Sequence, residues 1–475
     1  MTTVHTEVLV IGSGAGGALT AKALAEAGRD VTVIEEGPWV DADSTVPFSF
    51  TELDTKYRNR GLSLAAGRPP ISYAEGRCVG GSTEVNSGLW HRVPPSVLAD
   101  WRATYAIDEC SPAILDAYAA RLEHELHVQP LPGAPPRSSE VLEEGATKLA
   151  WDVVEVPRPF RYGPGVATKQ SMSRTMIPRA VAAGASVLPD TRAAKLMRRP
   201  GGVSGAACIR QHHDGSAEVL TILADHVFVC AGAIETPALL RRSGFRGGIG
   251  HGLKVHPTIK AAARFSQPID HGDVPVHQVK EFAPDLTLGG SASRRSHIAL
   301  ALADSWSRNG HAMADWENIG VYYAAIRSDA TGRVRTVPGL RAPIVSYRLT
   351  DADVSRLARG LVHLCELLFA AGAVELYPSI SGAAPLRSPA DLTSIWSAVE
   401  RSRVNLMTVH LCSTVRMGED RSRTGADSFG QVWGTSNLRV NDASLLPDAP
   451  GVNPQGPIMA IALRNCEQFL AAGRG

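Results

Sequence analysis

Three glycines near the beginning of the sequence have the spacing of a site that binds a dinucleotide. Gly12, Gly14 and Gly17 form the pattern G-x-G-x-x-G. In this pattern one glycine permits a tight turn, one lets a pyrophosphate approach the backbone, and one lets a helix pack closely on a strand. Glu35 follows about 18 residues after the last glycine, where a carboxylate accepts hydrogen bonds from a ribose diol. Glu35 and Glu36 together would repel the 2′-phosphate of NADP.

The residues around these glycines predict the elements that must position them. Apolar runs indicate strands at 7–11 and 30–35, and between them a helix at 18–27 ends before Gly28. This order is a βαβ unit in which the N-terminus of the helix faces the phosphates. A glycine-rich turn that only serves packing is the alternative, but it leaves the acid at the end of an apolar strand unexplained.

The rest of the chain alternates predicted helices and strands, which indicates an α/β fold. The helix at 351–371 is amphipathic and follows a Thr350 cap. Further helices are expected at 97–128, 174–183, 236–243 and 457–471, and strands within 186–223 and at 225–231 and 438–440.

Composition excludes several classes of protein. The 48 basic and 47 acidic residues leave a net charge of +1, so the chain lacks the basic excess that binds nucleic acid. A membrane span needs about 18 unbroken apolar residues, and no such run is present. Few residues precede the first apolar run, so we expect no signal peptide and a cytoplasmic location. The 7 cysteines are scattered without a CxxC pair, which favours buried free thiols.

Common catalytic motifs are also missing from the sequence. It contains no G-x-S-x-G elbow, no Gly-Lys pair of a P-loop and no H-E-x-x-H. His124 and His127 could be interpreted as metal ligands, but a solvated helix face explains them better, so no metal is expected. Only one dinucleotide fingerprint is present, and one bound dinucleotide would therefore carry out any redox chemistry.

A second glycine cluster, at 76–86, contains Arg77, Gly80, Gly81, Ser82 and Asn86. With the segment 232–244, it resembles the two signatures of the glucose-methanol-choline (GMC) family of FAD oxidoreductases. Later landmarks resemble those of the family in the same order, namely His256-Pro257, 410–418, 437–440, 442–444 and Asn453-Pro454. The resemblance covers almost the whole chain.

The resemblance implies a Rossmann-like FAD-binding domain with an inserted substrate domain of mixed sheet and helices. The expected FAD-binding segments are 1–90, 168–257 and 432–475, and the substrate domain is expected at 91–167 and 258–431. By position in the family, the ADP half of FAD is held by Gly12, Gly14, Gly17 and Glu35. The flavin side is expected along Arg77, Gly80, Gly81, Ser82 and Asn86, with Asp442 as a late contact. Val85 stands where some relatives attach FAD through His, so we expect non-covalent FAD.

The same resemblance assigns His410 and Asn453 to the paired catalytic positions facing the flavin. A histidine with an ordinary pKa of about 6.5 accepts a hydroxyl proton near neutral pH, so His410 is the expected general base. Asn453 would bind the hydroxyl oxygen and position the reacting carbon. His410 could instead be a core histidine, and Asn453 could also cap the last helix. Cys412, two residues after His410, is expected only to pack.

These expectations predict an FAD-dependent enzyme that oxidises an alcohol to an aldehyde or ketone, with oxygen or another acceptor reoxidising the flavin. The sequence of residues 77–92 is similar to that of actinobacterial GMC enzymes of aminoglycoside antibiotic biosynthesis. This similarity implies a hydroxymethyl group of an amino-sugar as substrate. Candidate residues for a cationic sugar are Asp304, Trp306, Asp315, Trp316 and Glu317, unless they form a solvated loop. The alternatives are a fatty-alcohol or sterol oxidase with an apolar tunnel, and a hydroxynitrile-lyase-like enzyme.

Overall fold

The elements of the fold come from a computed structural model that describes residues 2–41, 43–107, 109–212, 214–269, 272–400 and 403–473. The helices are α1 (Ala15–Glu26), α2 (Phe50–Lys56), α3 (Pro95–Tyr105), α4 (Pro112–Glu125), α5 (Arg137–Leu149), α6 (Met176–Ala182), α7 (Gly232–Arg242), α8 (Arg295–Leu302), α9 (Trp306–Asn309), α10 (Asp351–Ala370), α11 (Thr393–Ala398) and α12 (Gln455–Ala472). The strands are β1 (Thr2–Ile11), β2 (Val31–Ile34), β3 (Ser63–Ala65), β4 (Ile71–Tyr73), β5 (Val128–Gln129), β6 (Val153–Glu155), β7 (Arg158–Gly163), β8 (Val166–Lys169), β9 (Ser186–Leu188), β10 (Thr191–Arg199), β11 (Gly202–Gln211), β12 (Ala217–Val229), β13 (His251–Val255), β14 (Thr258–Arg264), β15 (His277–Val279), β16 (Leu286–Gly290), β17 (Ile319–Ile326), β18 (Gly332–Arg335), β19 (Ile344–Ser346), β20 (Glu375–Pro378), β21 (Leu406–Thr408), β22 (Leu411–Cys412) and β23 (Leu438–Val440).

A seven-stranded sheet carries the predicted βαβ unit. Its order is β10-β11-β12-β1-β2-β9, with β23 beside β12. Strand β1 runs parallel to β2 and β12, and β23 runs parallel to β12. The apolar residues at 8–11 are all buried, as expected for a parallel strand covered on both faces. Because the carboxyl ends of parallel strands meet at one edge, the loops after β1, β2, β12 and β23 come together there.

A nine-stranded sheet forms the second layer. Its order is β3-β4-β21-β14-β17-β16-β15-β6, with β20 beside β14. One face joins the apolar core with α5 and α10, through residues that include Ile259, Ala261, Leu288, Ala324, Val141, Leu361 and Leu364. Residues of the other face alternate with these, because successive side chains of a strand point to opposite sides.

The opposite side of this sheet is polar. Lys260 pairs with Tyr323, Tyr323 with Gly289, and Gly289 with Gln278, so these residues form one row across four strands. Thr258 and Lys280 lie two positions from Lys260 and Gln278, on the same side of their strands. We call the side chains of Thr258, Lys260, Gln278, Lys280 and Tyr323 the polar face.

Most helix predictions are confirmed, and one is wrong. Helix α10 begins after Thr350, whose side chain accepts a hydrogen bond from the backbone N–H of Asp353 at 3.0 Å. The single helix predicted at 97–128 is instead two, because α3 ends before Ala106 in the left-handed region (φ 53°) and α4 begins at Pro112. Proline lacks an N–H group and therefore suits a first turn but not a helix interior.

The division into two domains stays a prediction. The seven-stranded sheet uses strands from residues 2–34, 186–229 and 438–440, whereas β3 and β4, from the first segment expected to bind FAD, pair in the nine-stranded sheet. No helix in the described part of the chain is long and apolar enough to cross a membrane. All seven cysteines are buried and have free thiols.

Candidate active site

The turn after β1 leaves space for a ligand against its backbone. Gly12 has a φ of 101°, and a Cβ atom at Gly17 would lie 1.9 Å from the carbonyl oxygen of Gly12. Both positions therefore require glycine for the fold itself. Gly14 differs, because a Cβ atom there would meet no described atom within 4 Å. The backbone at Gly14 is thus the open part of the turn, as a closely approaching pyrophosphate needs.

The N-terminus of α1 adds to this cradle. The helix begins after Gly14 and has no side-chain cap among the described residues. Its first N–H groups and the helix dipole therefore favour a negative ligand. The second glycine cluster closes on the same turn, since a Cβ atom at Gly81 would lie 2.9 Å from Cα of Gly14. These features fit the pyrophosphate of a dinucleotide.

Glu35 lies beside this turn and is held by it. Its carboxylate accepts hydrogen bonds from the backbone N–H and hydroxyl of Ser13 at 3.0 and 2.7 Å, and from the N–H of Gly37 at 2.9 Å. Burial raises the pKa of Glu35. The structure thus brings Glu35 to the dinucleotide turn, while its contact with a ribose stays a prediction.

Glu36 organises a group of arginines next to Glu35. It forms ion pairs with Arg58 at 2.9 Å, Arg341 at 2.8 Å and Arg77 at 3.6 Å. Burial opposes its ionisation, but the guanidinium groups of Arg58, Arg341 and Arg77 together outweigh burial and hold the pKa of Glu36 at about 2. Arg77 also donates to the backbone carbonyl of Glu36 at 3.2 Å. The predicted cofactor residue Arg77 therefore contacts the loop after β2.

The second glycine cluster links the dinucleotide turn to α12. The backbone N–H of Gly80 donates to the hydroxyl of Ser13 at 3.1 Å, and the hydroxyl of Ser82 accepts from the N–H of Gly76 at 3.0 Å. The side-chain amide of Asn86 donates to the side-chain oxygen of Gln455, the first residue of α12, at 2.7 Å. The cluster and the start of the last helix are therefore in direct contact.

Asp442 fixes another loop at this edge. Its carboxylate accepts hydrogen bonds from the backbone N–H of Gly232 at 2.8 Å, the hydroxyl of Thr236 at 2.5 Å, and both the N–H and the hydroxyl of Ser444. Burial raises its pKa. With four donors from the protein, Asp442 positions the start of α7, and its direct contact with FAD stays a prediction.

Glu75 is a residue of this edge that the sequence reasoning missed. One oxygen of its carboxyl group is buried and has no hydrogen-bond partner among the described residues. The other lies 3.9 Å from the position of a Cβ atom at Gly232. Burial raises the pKa of Glu75 to about 7, although Arg58 opposes this. An unsatisfied polar group at this place calls for a ligand that exchanges a hydrogen bond with it, which fits a cofactor rich in hydroxyl and amine groups.

The two predicted catalytic residues lie together. The side-chain amide nitrogen of Asn453 is 3.3 Å from Nε2 of His410, and the amide oxygen accepts from Gln278 at 3.2 Å. Burial and the charge of Lys280 lower the pKa of His410 to about 4. His410 is therefore uncharged at neutral pH, as a proton acceptor must be.

His256 is the partner of His410 on its other side. The two Nδ1 atoms are 2.8 Å apart, and the rings meet edge to face. Strands β13 and β22 pair antiparallel with Lys254 opposite Cys412 and Val255 opposite Leu411, which continues to His256 opposite His410. The sequence marked His256 only as a landmark, because strand register is not visible locally.

Gln278 connects the catalytic pair to the polar face. The side-chain nitrogen of Gln278 donates to the hydroxyl of Tyr323 at 3.0 Å, and its side-chain oxygen lies 3.0 Å from Nε2 of His91. Burial lowers the pKa of both Lys260 and Lys280 to about 8. No ion pair of either lysine occurs in the described part of the chain. The alternation of polar and apolar residues along the strands was the available signal for this face.

The residues predicted to bind a cationic sugar have different surroundings. Asp304 lines a separate cavity of about 900 Å³ with Glu400 and ten other residues, and neither His410 nor Asn453 is among them. Asp315 lies 3.9 Å from Arg264, and Trp306 is 52% exposed. Trp316 packs beside α8. Cys412 is buried, which raises its pKa to about 12 and agrees with a packing role. No group of three or more potential metal ligands occurs among the described residues.

Comparisons with known proteins cover almost the whole chain. The family description "GMC oxidoreductase" matches residues 9–258 with its N-terminal part and 328–462 with its C-terminal part. An uncharacterized GMC-type oxidoreductase of Sinorhizobium fredii, y4nJ, is 40% identical over 98% of this chain and 95% of its own length. Long-chain-alcohol oxidase FAO1 of Arabidopsis thaliana is 26% identical over 97% of this chain and 66% of its own. The structure of pyridoxine 4-oxidase from Mesorbium loti superimposes with a TM-score of 0.73 at 18% identity, covering 98% of this chain and 99% of its own.

Proposed function

Because this chain belongs to the GMC oxidoreductase family, whose cofactor is FAD, we propose that it oxidises an alcohol to an aldehyde or ketone. The observation that carries this proposal is the contact of His410 with Asn453 beside the polar face. Asn453 lies two residues before Gln455, which binds Asn86 of the second glycine cluster. Cofactor cradle and catalytic pair are therefore neighbours. The long-chain-alcohol oxidase among the relatives supports the same reaction class.

The residues that we propose to hold FAD surround the edge of the seven-stranded sheet where the loops after β1, β2, β12 and β23 meet. Gly12, Gly14, Gly17 and Glu35 would hold the ADP half, and Arg77, Gly80, Gly81, Ser82 and Asn86 the flavin side, with Asp442 positioning the loop at Gly232. The side chain of Val85 has no nucleophilic atom for a covalent link, which supports non-covalent binding. Bound FAD supplies the hydride acceptor.

His410 and Asn453 would act on the hydroxyl group of the substrate. His410, uncharged above about pH 5 because its pKa is about 4, would take up the hydroxyl proton at Nε2. Asn453 would bind the hydroxyl oxygen and hold the reacting carbon in position. Gln278, itself in contact with Tyr323, holds the side chain of Asn453 in place.

The polar face favours a hydrophilic alcohol as substrate. A sugar-like molecule can exchange hydrogen bonds with Gln278 and Tyr323, whereas a long-chain alcohol or sterol needs an apolar tunnel. A hydroxymethyl group of an amino-sugar is the more specific candidate. Its ammonium group would have to point away from Lys260 and Lys280, because like charges repel.

Anaerobic bleaching of the flavin tests the function. The purified holoenzyme is mixed with amino-sugars, neutral sugar alcohols, long-chain alcohols and sterols, and absorbance of the oxidised flavin is followed before air is readmitted. We expect bleaching by hydrophilic alcohols, and the rate of recovery in air separates oxygen from another acceptor. Cleavage of cyanohydrins with no bleaching by any alcohol would instead support the lyase alternative.

Two variants connect that result to the site. His410→Ala should lower the rate of flavin reduction by about 10²- to 10⁴-fold, the usual contribution of a general base, while FAD content is retained. His251→Ala is the matched control, because His251 is an exposed histidine of β13. Undiminished reduction in the His410 variant would refute the proposed role.

A further inference from the structure

The second ring nitrogen of His256, Nε2, takes part in a hydrogen bond whose direction cannot be reversed. The backbone N–H of Gly451 donates to Nε2 of His256 at 3.2 Å. A backbone amide is always a donor, whereas a histidine ring or a side-chain amide can exchange donor and acceptor. His256 is only 5% exposed, so Nε2 keeps this partner in the resting enzyme. Nε2 of His256 must therefore be the nitrogen without a proton.

The number of protons on each ring then determines which nitrogen is protonated in both His256 and His410. A neutral imidazole carries one proton, so the proton of His256 is on Nδ1. Because Nδ1 of His410 is 2.8 Å away, it must accept this proton's hydrogen bond. His410, also neutral, then carries its own proton on Nε2, the atom that faces Asn453.

The side-chain amides can follow this arrangement. If the oxygen of Asn453 faces Nε2 of His410, its nitrogen donates to Gln278, and the nitrogen of Gln278 donates to Nε2 of His91. Each contact in this series of hydrogen bonds keeps one donor and one acceptor, because rotation of a side-chain amide exchanges the positions of its oxygen and nitrogen. Among the described contacts of these side chains, the one at Gly451 alone has a direction set by the backbone.

We propose that His256 is a positioning residue that assigns the proton of His410 to Nε2 in the resting enzyme. His410 then offers an N–H group to an oxygen atom, and it becomes able to accept a hydroxyl proton only after the tautomers of both rings change. This inference rests on the proposed function for its catalytic meaning, but the proton position itself does not depend on any substrate.

The change of tautomer balances as a proton relay. One proton from water binds Nε2 of His256, the proton on its Nδ1 moves to Nδ1 of His410, and the proton on Nε2 of His410 leaves to water. The cost is the hydrogen bond from Gly451. Uptake of the hydroxyl proton by His410 runs the relay in the opposite direction and restores the resting arrangement. Lys280 and Arg327 are the cations whose charge acts on His256, and Lys280 also acts on His410, so both oppose a lasting imidazolium.

Nitrogen-15 spectra of the ring nitrogens test the assignment. The holoenzyme is labelled on histidine, and His410 is identified by the signals lost in His410→Ala. We expect its Nε2 to show the shift of a protonated nitrogen and its Nδ1 that of an unprotonated one. The opposite assignment in the unaltered enzyme would overturn the proposal without any variant.

The variant His256→Asn provides the second measurement. Asparagine places an amide near the position of Nδ1 but cannot reach Gly451, so it can accept from His410 as well as donate. We expect the Nδ1-protonated form of His410 to increase at least several-fold. The control His251→Asn, at the start of the strand that precedes His256, should leave the signals of His410 unchanged. An unchanged tautomer in His256→Asn would contradict the proposal. Absence of flavin bleaching by alcohols would refute only the proposed function.

Discussion

Replacement of Lys280 by methionine should make flavin reduction sensitive to mild acid. Lys280 follows β15 on the polar face, and its charge lowers the pKa of His91, His256 and His410. Methionine keeps a long side chain of similar volume and removes only the charge. Burial, the larger cause of the low pKa of His410, remains, so the pKa should rise from about 4 without reaching the ordinary value of 6.5.

The expected size follows from the protonation equilibrium. With a pKa of about 4, His410 is roughly 91% uncharged at pH 5. A rise of about one pKa unit, equivalent to ~1.4 kcal/mol of lost repulsion, reduces this fraction to roughly 50%. The rate of flavin reduction at pH 5, relative to its plateau near pH 7.5, should therefore fall by about half in the variant.

Anaerobic stopped-flow measurements between pH 5 and 8 provide the assay. Lys260→Met is the matched control, because Lys260 is also on the polar face with a pKa of about 8, yet its charge acts on His297 rather than His410. A profile of the Lys280 variant identical to that of the unaltered enzyme would refute the reasoning. An equal shift in the Lys260 variant would show that the effect is not local.

Three further outcomes are expected. Gly17→Ala should prevent folding, because the new Cβ atom would lie 1.9 Å from the carbonyl oxygen of Gly12. The Cβ atom of Gly14→Ala meets no described atom, so this variant should melt like the unaltered apoprotein in circular dichroism but purify with little flavin. Asn437→Ala should lower the free energy of unfolding by about 2–4 kcal/mol in urea titrations, because this buried side chain makes three hydrogen bonds to backbone groups. The free energy of unfolding should fall as pH decreases from about 6.5 to 4, because the unfolded chain binds protons on histidines that stay uncharged in the fold. The histidines concerned are His91, His256, His297 and His410, whose pKa values are low in the fold. Melting temperatures that stay constant over this pH range would contradict these low pKa values.

The local part of the site could be predicted from the sequence. The strand, turn and helix around Gly12, Gly14 and Gly17 are confirmed because periodicity and backbone constraints act over a few residues. His410 and Asn453 were assigned from the family's motif order, and the structure brings them within 3.3 Å. The helix predicted at 97–128 was wrong where Ala106 and Pro112 interrupt an otherwise helical pattern.

The partners of the catalytic residues were decided by tertiary structure. Gln278 reaches Asn453 across 175 positions of sequence, and His256 reaches His410 across 154. Both contacts depend on strand register, and a shift of one residue would turn each side chain to the opposite face. The low pKa of His410 and the unsatisfied oxygen of Glu75 arise from burial, which is a property of the assembled layers. The sequence by itself therefore determined which residue types were available for the chemistry, whereas packing decided which of them face one another and in which charge state.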